Sequence, residues 1–154
     1  MGGLIIDAPT MYTSPTVLYE QDDGSFIRRT QAVDDWGSQW NKYTFHTPDQ
    51  GAVGFIEGFF YSPTKFWIQQ VKNESGKAGQ GFYFIPRLYK TMEADLREQG
   101  VDRLLMTAYF SLVPFLIRRL GFVELREGAY DKVMSGWFVK HIPGMGIPLE
   151  KRLV

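Results

Sequence analysis

Hydrophobic positions in this chain fall into short β-type runs first, then two helical stretches, then short runs again. Thr16-Val17-Leu18-Tyr19-Glu20 reads as a strand, Asp22-Asp23-Gly24-Ser25 as a turn, and Phe26-Ile27-Arg28-Arg29-Thr30 as the hairpin partner. Between Asp34 and Tyr43, Trp36 and Trp40 lie four residues apart. That spacing suits a short helix capped by Asp34 or Asp35, or a loop pinned by aromatics. The tryptophan pair reads as a packing anchor rather than a ligand clamp. Gly51 to Tyr61 and Lys65 to Val71 are rich in Phe, Val, Ile, Tyr and Trp and flank Ser62-Pro63-Thr64, which predicts two antiparallel strands joined by a tight turn. Glu57 interrupts the first of these strands. Alternation accounts for it as a solvent-facing or edge residue; a general base in a cleft is the functional reading.

Gly76-Lys77-Ala78-Gly79-Gln80-Gly81 then opens a helical segment running to Gln99. Ile85, Leu88, Met92 and Leu96 share one face, Glu93 and Arg97 form an i,i+4 pair on another, Pro86 is assigned to the first turn, and Gly100 ends the helix. Glycines free the loop amides for close approach, and amides feeding a helix N-terminus suit a phosphate or pyrophosphate, with Lys77 adding charge. A flexible glycine-rich loop with no ligand explains the same residues. A Walker loop is excluded because Phe82 follows Gly81, and a dinucleotide fingerprint because Phe84 stands where its third glycine belongs.

Val101 to Tyr109 reads as a strand buried on both faces, with Leu104, Leu105 and Met106 at its centre. Ser111 is placed as the cap of a second helix, with Pro114 in its first turn, Arg118 and Arg119 near its end, and Gly121 as its stop. Leu112, Val113, Phe115, Leu116, Ile117 and Leu120 make that helix apolar nearly all round, which predicts burial. Phe122 to Glu127 and Ser135 to Ile142 read as a final strand pair about a Gly128-Ala129-Tyr130-Asp131 turn. Pro143-Gly144-Met145-Gly146-Ile147-Pro148 leads to Leu149–Val154, expected as an exposed tail or as an arm that docks on a partner or a second copy.

Composition narrows the function classes. A length of 154 residues implies one domain, and 17 basic against 17 acidic residues provide no field for nucleic acid or an anionic membrane. With no cysteine, disulfides, thiol nucleophiles and zinc–thiolate sites are excluded, which fits a reducing compartment. The start of the chain lacks a signal-peptide pattern, and no apolar run reaches membrane-spanning length, so a cytoplasmic location is expected. Aromatic content is high at 16%.

Val71, Asn73, Gly76, Gly79 and Gly81, with Ala52-Val53-Gly54-Phe55 before them and Leu120-Gly121-Phe122 after, fall in a familiar register. From Ala52 to about Ile142 the chain resembles the GNAT superfamily of acyl-CoA N-acyltransferases. The resemblance implies an α/β (α+β) fold with a mixed, mostly antiparallel sheet flanked by helices. Residues 1–50 would form a divergent N-terminal part, 51–142 the core and 143–154 the arm. It implies that Val71, Asn73, Gly76, Lys77, Ala78, Gly79, Gln80 and Gly81 bind acetyl-CoA, with no metal, and that an amine attacks the thioester directly. Gly76 stands where the family has Arg or Gln, Asn73 where it has Pro, Phe110 where it often has Asn, and Ile117 where it often has the tyrosine that protonates the leaving thiolate. Glu57, Tyr83, Tyr109 and Ser111 are the residues left for proton transfer; Glu57, Tyr109 and Ser111 are taken as the catalytic set. His46 and His141 are the remaining imidazoles. The alternative is a non-catalytic protein of the same fold serving in an assembly such as a phage particle, hence in a virion.

Overall fold

The computed structural model describes residues 8–74, 81–108, 113–124 and 147–153. It contains an eight-stranded sheet of order β1-β2-β3-β4-β5-β6-β8-β7. The first five strands, β1 (Thr13–Glu20), β2 (Phe26–Val33), β3 (Gln39–Thr47), β4 (Gly51–Ser62) and β5 (Lys65–Asn73), form an antiparallel meander. Helix α1 (Gly81–Glu98) carries the chain to β6 (Arg103–Ala108), which pairs parallel to β5. Helix α2 (Val113–Leu120) leads to β7 (Val123–Glu124), and β8 (Ile147–Arg152) runs antiparallel to both β6 and β7. The expected mixed, mostly antiparallel sheet with helices is thus present.

The turns follow their local chemistry. Between β1 and β2, Asp23 Oδ1 accepts the Ser25 amide at 2.8 Å and Gly24 takes φ +90°. Between β2 and β3, Asp34 accepts the amides of Trp36 and Ser38, both at 2.9 Å, and the Trp40 indole N–H at 2.8 Å. No helix forms there. Trp40 lies on β3 and is fully buried, whereas Trp36 sits on the turn, 88% exposed. Their spacing of four therefore comes from a turn followed by a strand, and only Trp40 is a packing anchor.

The helical face reads as expected. Leu88, Met92 and Leu96 are fully buried, each contributing roughly 1.5–3 kcal/mol by area. Pro86 stands in the helix interior, past the first turn. Gly100 takes φ +92° while Val101 donates to the Leu96 carbonyl, closing the C-terminus. Glu93 and Arg97 do not pair with each other. Glu93 accepts from Lys151 at 2.7 Å and Arg97 Nε donates to the Leu153 carbonyl at 2.7 Å. Both hold the last strand. The expected exposed C-terminal arm is instead, over Ile147–Arg152, an inner strand between β6 and β7, with Leu149 and Leu153 buried. The burial expected all round α2 also fails: Leu116 and Leu120 are buried, but Ile117 is 40% exposed. Within the expected final strand pair, Val123–Glu124 pairs with β8. The remainder of that pair lies outside the described residues.

Residues 13–47 supply three strands. Both strand–helix–strand crossovers advance the same way along the sheet, so right-handedness puts α1 and α2 on one face. Ile27, Tyr43, Phe45, Ile56, Phe66 and Leu104 form the core beneath them. The opposite face carries the alternate residues, among them Trp40, Phe59, Trp67 and Leu105, which pair across four consecutive strands.

Two glycines of β4 are required by close approach. A Cβ on Gly54 would stand 2.4 Å from the Phe84 ring, and one on Gly58 would stand 2.1 Å from the Trp67 carbonyl oxygen. The second obstacle is backbone, which cannot rotate away. Gly58→Ala is expected to destabilise the protein by about 2–3 kcal/mol, seen as a lower urea midpoint at unchanged slope. An unchanged midpoint would show that β4 and β5 tolerate separation there.

Candidate active site

Strands β5 and β6 are paired over only part of their length. Lys65, Phe66, Trp67 and Ile68 face Arg103, Leu104, Leu105 and Met106, and pairing stops at Ile68–Met106. Beyond that point β5 stays on β4 as far as Asn73, and β6 stays on β8 as far as Ala108. Each strand is held from outside and the two diverge, leaving a V between them. The register shows why. On β4, Glu57 faces Gln70 and the next residue, Gly58, faces Ile68, so Gln69 is an extra residue in β5. Such a bulge bends its strand and ends regular pairing. Trp67 donates to the Gln69 side chain at 3.1 Å, fixing the bulged residue.

The closed end of the V is fastened. Lys65 Nζ and Asp102 Oδ1 are 2.6 Å apart, and the Asp102 amide donates to the Thr64 carbonyl at 2.8 Å. The Lys65 hydrogen bond holds the Asp102 carboxyl below the usual carboxylate range.

Glu57 lies one strand from the mouth of the V, between Lys42 on β3 and Gln70 on β5. It is 5% exposed and in the middle of the sheet. The reading as a solvent-facing or edge residue is therefore overturned: alternation does place Glu57 opposite the helix-facing residues, but that face is covered too. The Tyr12 hydroxyl donates to Glu57 Oε2 at 3.0 Å. Burial first, and the Glu57 charge second, push the Tyr12 phenol well up, so it stays protonated and donating. Glu57 Oε1 accepts no hydrogen bond from the described residues. The arrangement is a buried, oriented carboxylate with one oxygen available, which is what a general base needs.

Not every expected site residue can be placed. Gly76, Lys77, Ala78, Gly79, Gln80, Tyr109, Ser111 and His141 lie outside the described residues. Val71 and Asn73 lie on β5 beyond the bulge, along the open side of the V, and Gly81 is the first residue of α1. His46 lies on β3, its ring stacked on Phe26 at 4.7 Å between centroids. Burial and the neighbouring Arg28 lower its pKa, so it stays neutral at pH 7. Tyr12 escaped sequence reasoning because nothing local links it to a carboxylate 45 residues away. Among the described residues, no group of acids and histidines is gathered to hold a metal, and no helix is long and apolar enough to cross a membrane.

Several solved structures share the fold of this chain at low sequence identity. The GCN5 protein of Tetrahymena aligns with TM-score 0.58 at 16% identity, covering 75% of this chain and 69% of that one. The chain has the fold of the GNAT acetyltransferases. A GNAT-family acetyltransferase from Staphylococcus aureus aligns with TM-score 0.54 at 14% identity, covering 75% of this chain and 68% of the other. A Mycobacterium tuberculosis protein solved in complex with CoA aligns with TM-score 0.52 at 17% identity, covering 73% and 76%. No protein-family profile and no curated protein matches the sequence. The N-terminal third of this chain contributes β1, β2 and β3 to the sheet.

Proposed function

We propose that this protein transfers an acyl group, acetyl in the first instance, from coenzyme A to an amine. The observation that carries the reading is the V between β5 and β6 with the buried Glu57 carboxylate one strand from its mouth. The pantetheine arm would lie along the open side of β5 from Gln69 towards Asn73, making strand-like hydrogen bonds. Its pyrophosphate would meet the segment Gly76–Gly81 and the N-terminus of α1. The mycobacterial neighbour's CoA supports this choice of co-substrate.

In the reaction the amine nitrogen attacks the thioester carbonyl, a C–N bond forms and the C–S bond breaks. Glu57 takes the proton lost by the nitrogen, directly or through one water, and the sulfur leaves as thiolate and is protonated from solvent. Tyr12 keeps the carboxylate aimed without competing for that proton. Tyr109 and Ser111 follow β6 directly in the chain and remain candidates for protonating the thiolate.

Calorimetry with acetyl-CoA tests the first step. Binding in the micromolar range is expected, weakened at least about tenfold in a Gly79→Glu, Gly81→Glu double variant, because the added carboxylates repel the diphosphate. No heat at millimolar ligand would overturn the enzymatic reading and leave a non-catalytic scaffold.

A further inference from the structure

The sheet face that carries Glu57 also carries two cations, Arg28 and Lys42, with no ion pair among the described residues. Lys42 stands opposite Glu57 across β3 and β4, and Arg28 stands opposite Thr44, the next residue of β3 on that face. Beyond Thr44 comes His46. Arg28 has no ion pair among the described residues, and its Nε is buried with no hydrogen-bond partner; His46 Nε2 is in the same position. The Lys42 ammonium rests on rings, 4.2 Å from the Phe55 centroid and 5.5 Å from that of Tyr12, and forms no salt bridge with Glu57.

Other cations of the sheet have acidic partners, Lys65 with Asp102 and Arg103 with Glu150 among them. Arg29, the neighbour of Arg28 in sequence, meets Asp95 at 2.6 Å, and Lys151 meets Glu93 at 2.7 Å. A buried donor left unpaired costs stability, and such groups in native proteins call for an explanation. Arg28 Nε and His46 Nε2 are two such atoms on the face that carries Glu57; Arg29 Nε, Arg103 Nε and the Tyr61 hydroxyl are others. The placement of Arg28 and Lys42 suits an elongated ligand. Lys42 is in the same cross-strand row as Glu57. Arg28 is two strands over and one side-chain repeat along, roughly 12 Å away between Cα atoms, a gap that an arginine side chain largely spans.

We propose that Arg28 and Lys42 bind the anionic end of the acceptor, which is an aliphatic amine carrying a carboxylate a few bonds from its nitrogen. This rests on the acyltransferase reading and specifies its substrate class. The amine end is drawn to Glu57, and the carboxylate accepts charge-assisted hydrogen bonds from Arg28, with His46 Nε2 beside it. A neutral amine of the same length leaves those donors unpaired and is discriminated against.

The test compares γ-aminobutyrate with n-butylamine, which differ in a terminal carboxylate against a methyl group. Binding to the full chain is followed by tryptophan fluorescence or ligand-observed NMR, with and without saturating CoA. The expected result is binding of γ-aminobutyrate at least about tenfold tighter than butylamine. Arg28→Gln should bring the two to parity while leaving CoA affinity unchanged, Lys42→Met should weaken γ-aminobutyrate alone, and Arg28→Lys should restore part of the preference. Equal binding of the two amines, or a preference that survives Arg28→Gln, overturns the proposal. Failure of the acyltransferase reading shows separately, as loss of CoA binding or of acetyl transfer, while the titration without CoA still reports on the patch.

Discussion

Glu57→Gln is expected to slow acetyl transfer by about 100-fold or more while leaving the affinity for acetyl-CoA unchanged. The substitution keeps the shape and an oxygen for the Tyr12 hydroxyl, which donates at 3.0 Å in the native protein. What it removes is proton acceptance, a contribution worth about 10²–10⁴ in rate for a positioned base. Glu57 occupies the central part of β4, one strand from β5, so its loss does not touch the open side of β5 where the co-substrate would lie. Single-turnover rates beside calorimetric affinities separate the two effects. A variant with the native rate would exclude Glu57 as base and direct attention to Tyr109 and Ser111. A variant that also lost acetyl-CoA binding would show that the carboxylate instead shapes the V.

Asp95→Ala carries the largest expected loss of stability. Asp95 is 7% exposed on α1 and accepts from Arg29 at 2.6 Å, from the Tyr43 hydroxyl at 2.7 Å and from Gln99 at 2.6 Å. Asn41 donates to the Tyr43 oxygen at 3.0 Å, completing a network between β2, β3 and the second half of α1. Burial first and the Asp95 charge next push the Tyr43 phenol well up, so it is a donor at neutral pH. Removing the carboxylate strands a guanidinium and a fully buried phenol. Breaking a buried pair in this way costs about 3–5 kcal/mol. The expected result is a large drop in the urea midpoint, with Tyr43→Phe costing much less, near 1 kcal/mol. A loss under about 1 kcal/mol for Asp95→Ala would mean that water replaces the carboxylate. The network would then not be what orients α1 on the meander.

Much of the architecture could be read from residues alone because its causes are local. The β1–β2 hairpin follows from Asp22-Asp23-Gly24-Ser25, the β4–β5 hairpin from Ser62-Pro63-Thr64, and α1 from the spacing of Leu88, Met92 and Leu96 closed by Gly100. Two expectations fail, one for a local reason and one for a distant one. Trp36 and Trp40 had helical spacing but belong to a turn and a strand, since the Asp34 carboxylate captures two amides and an indole. The i,i+4 spacing predicts a Glu93–Arg97 pair, yet each has a better partner near the end of the chain, Lys151 and the Leu153 carbonyl. A weak exposed pair is readily given up for a half-buried one.

From its own residues the chain determines a strand-rich meander, a glycine-led helix, a second strand–helix unit and a register matching the acyl-CoA fold, because turns, caps and periodicity act over a few residues. Only the tertiary structure decided that Leu149–Arg152 is an inner strand rather than a tail, that Gln69 is a bulge which parts β5 from β6, and that Glu57 is buried against Tyr12. The reason is that strand order, register and burial depend on contacts between segments far apart in the sequence. Period-two alternation names the two faces of a strand but cannot say which of them meets water.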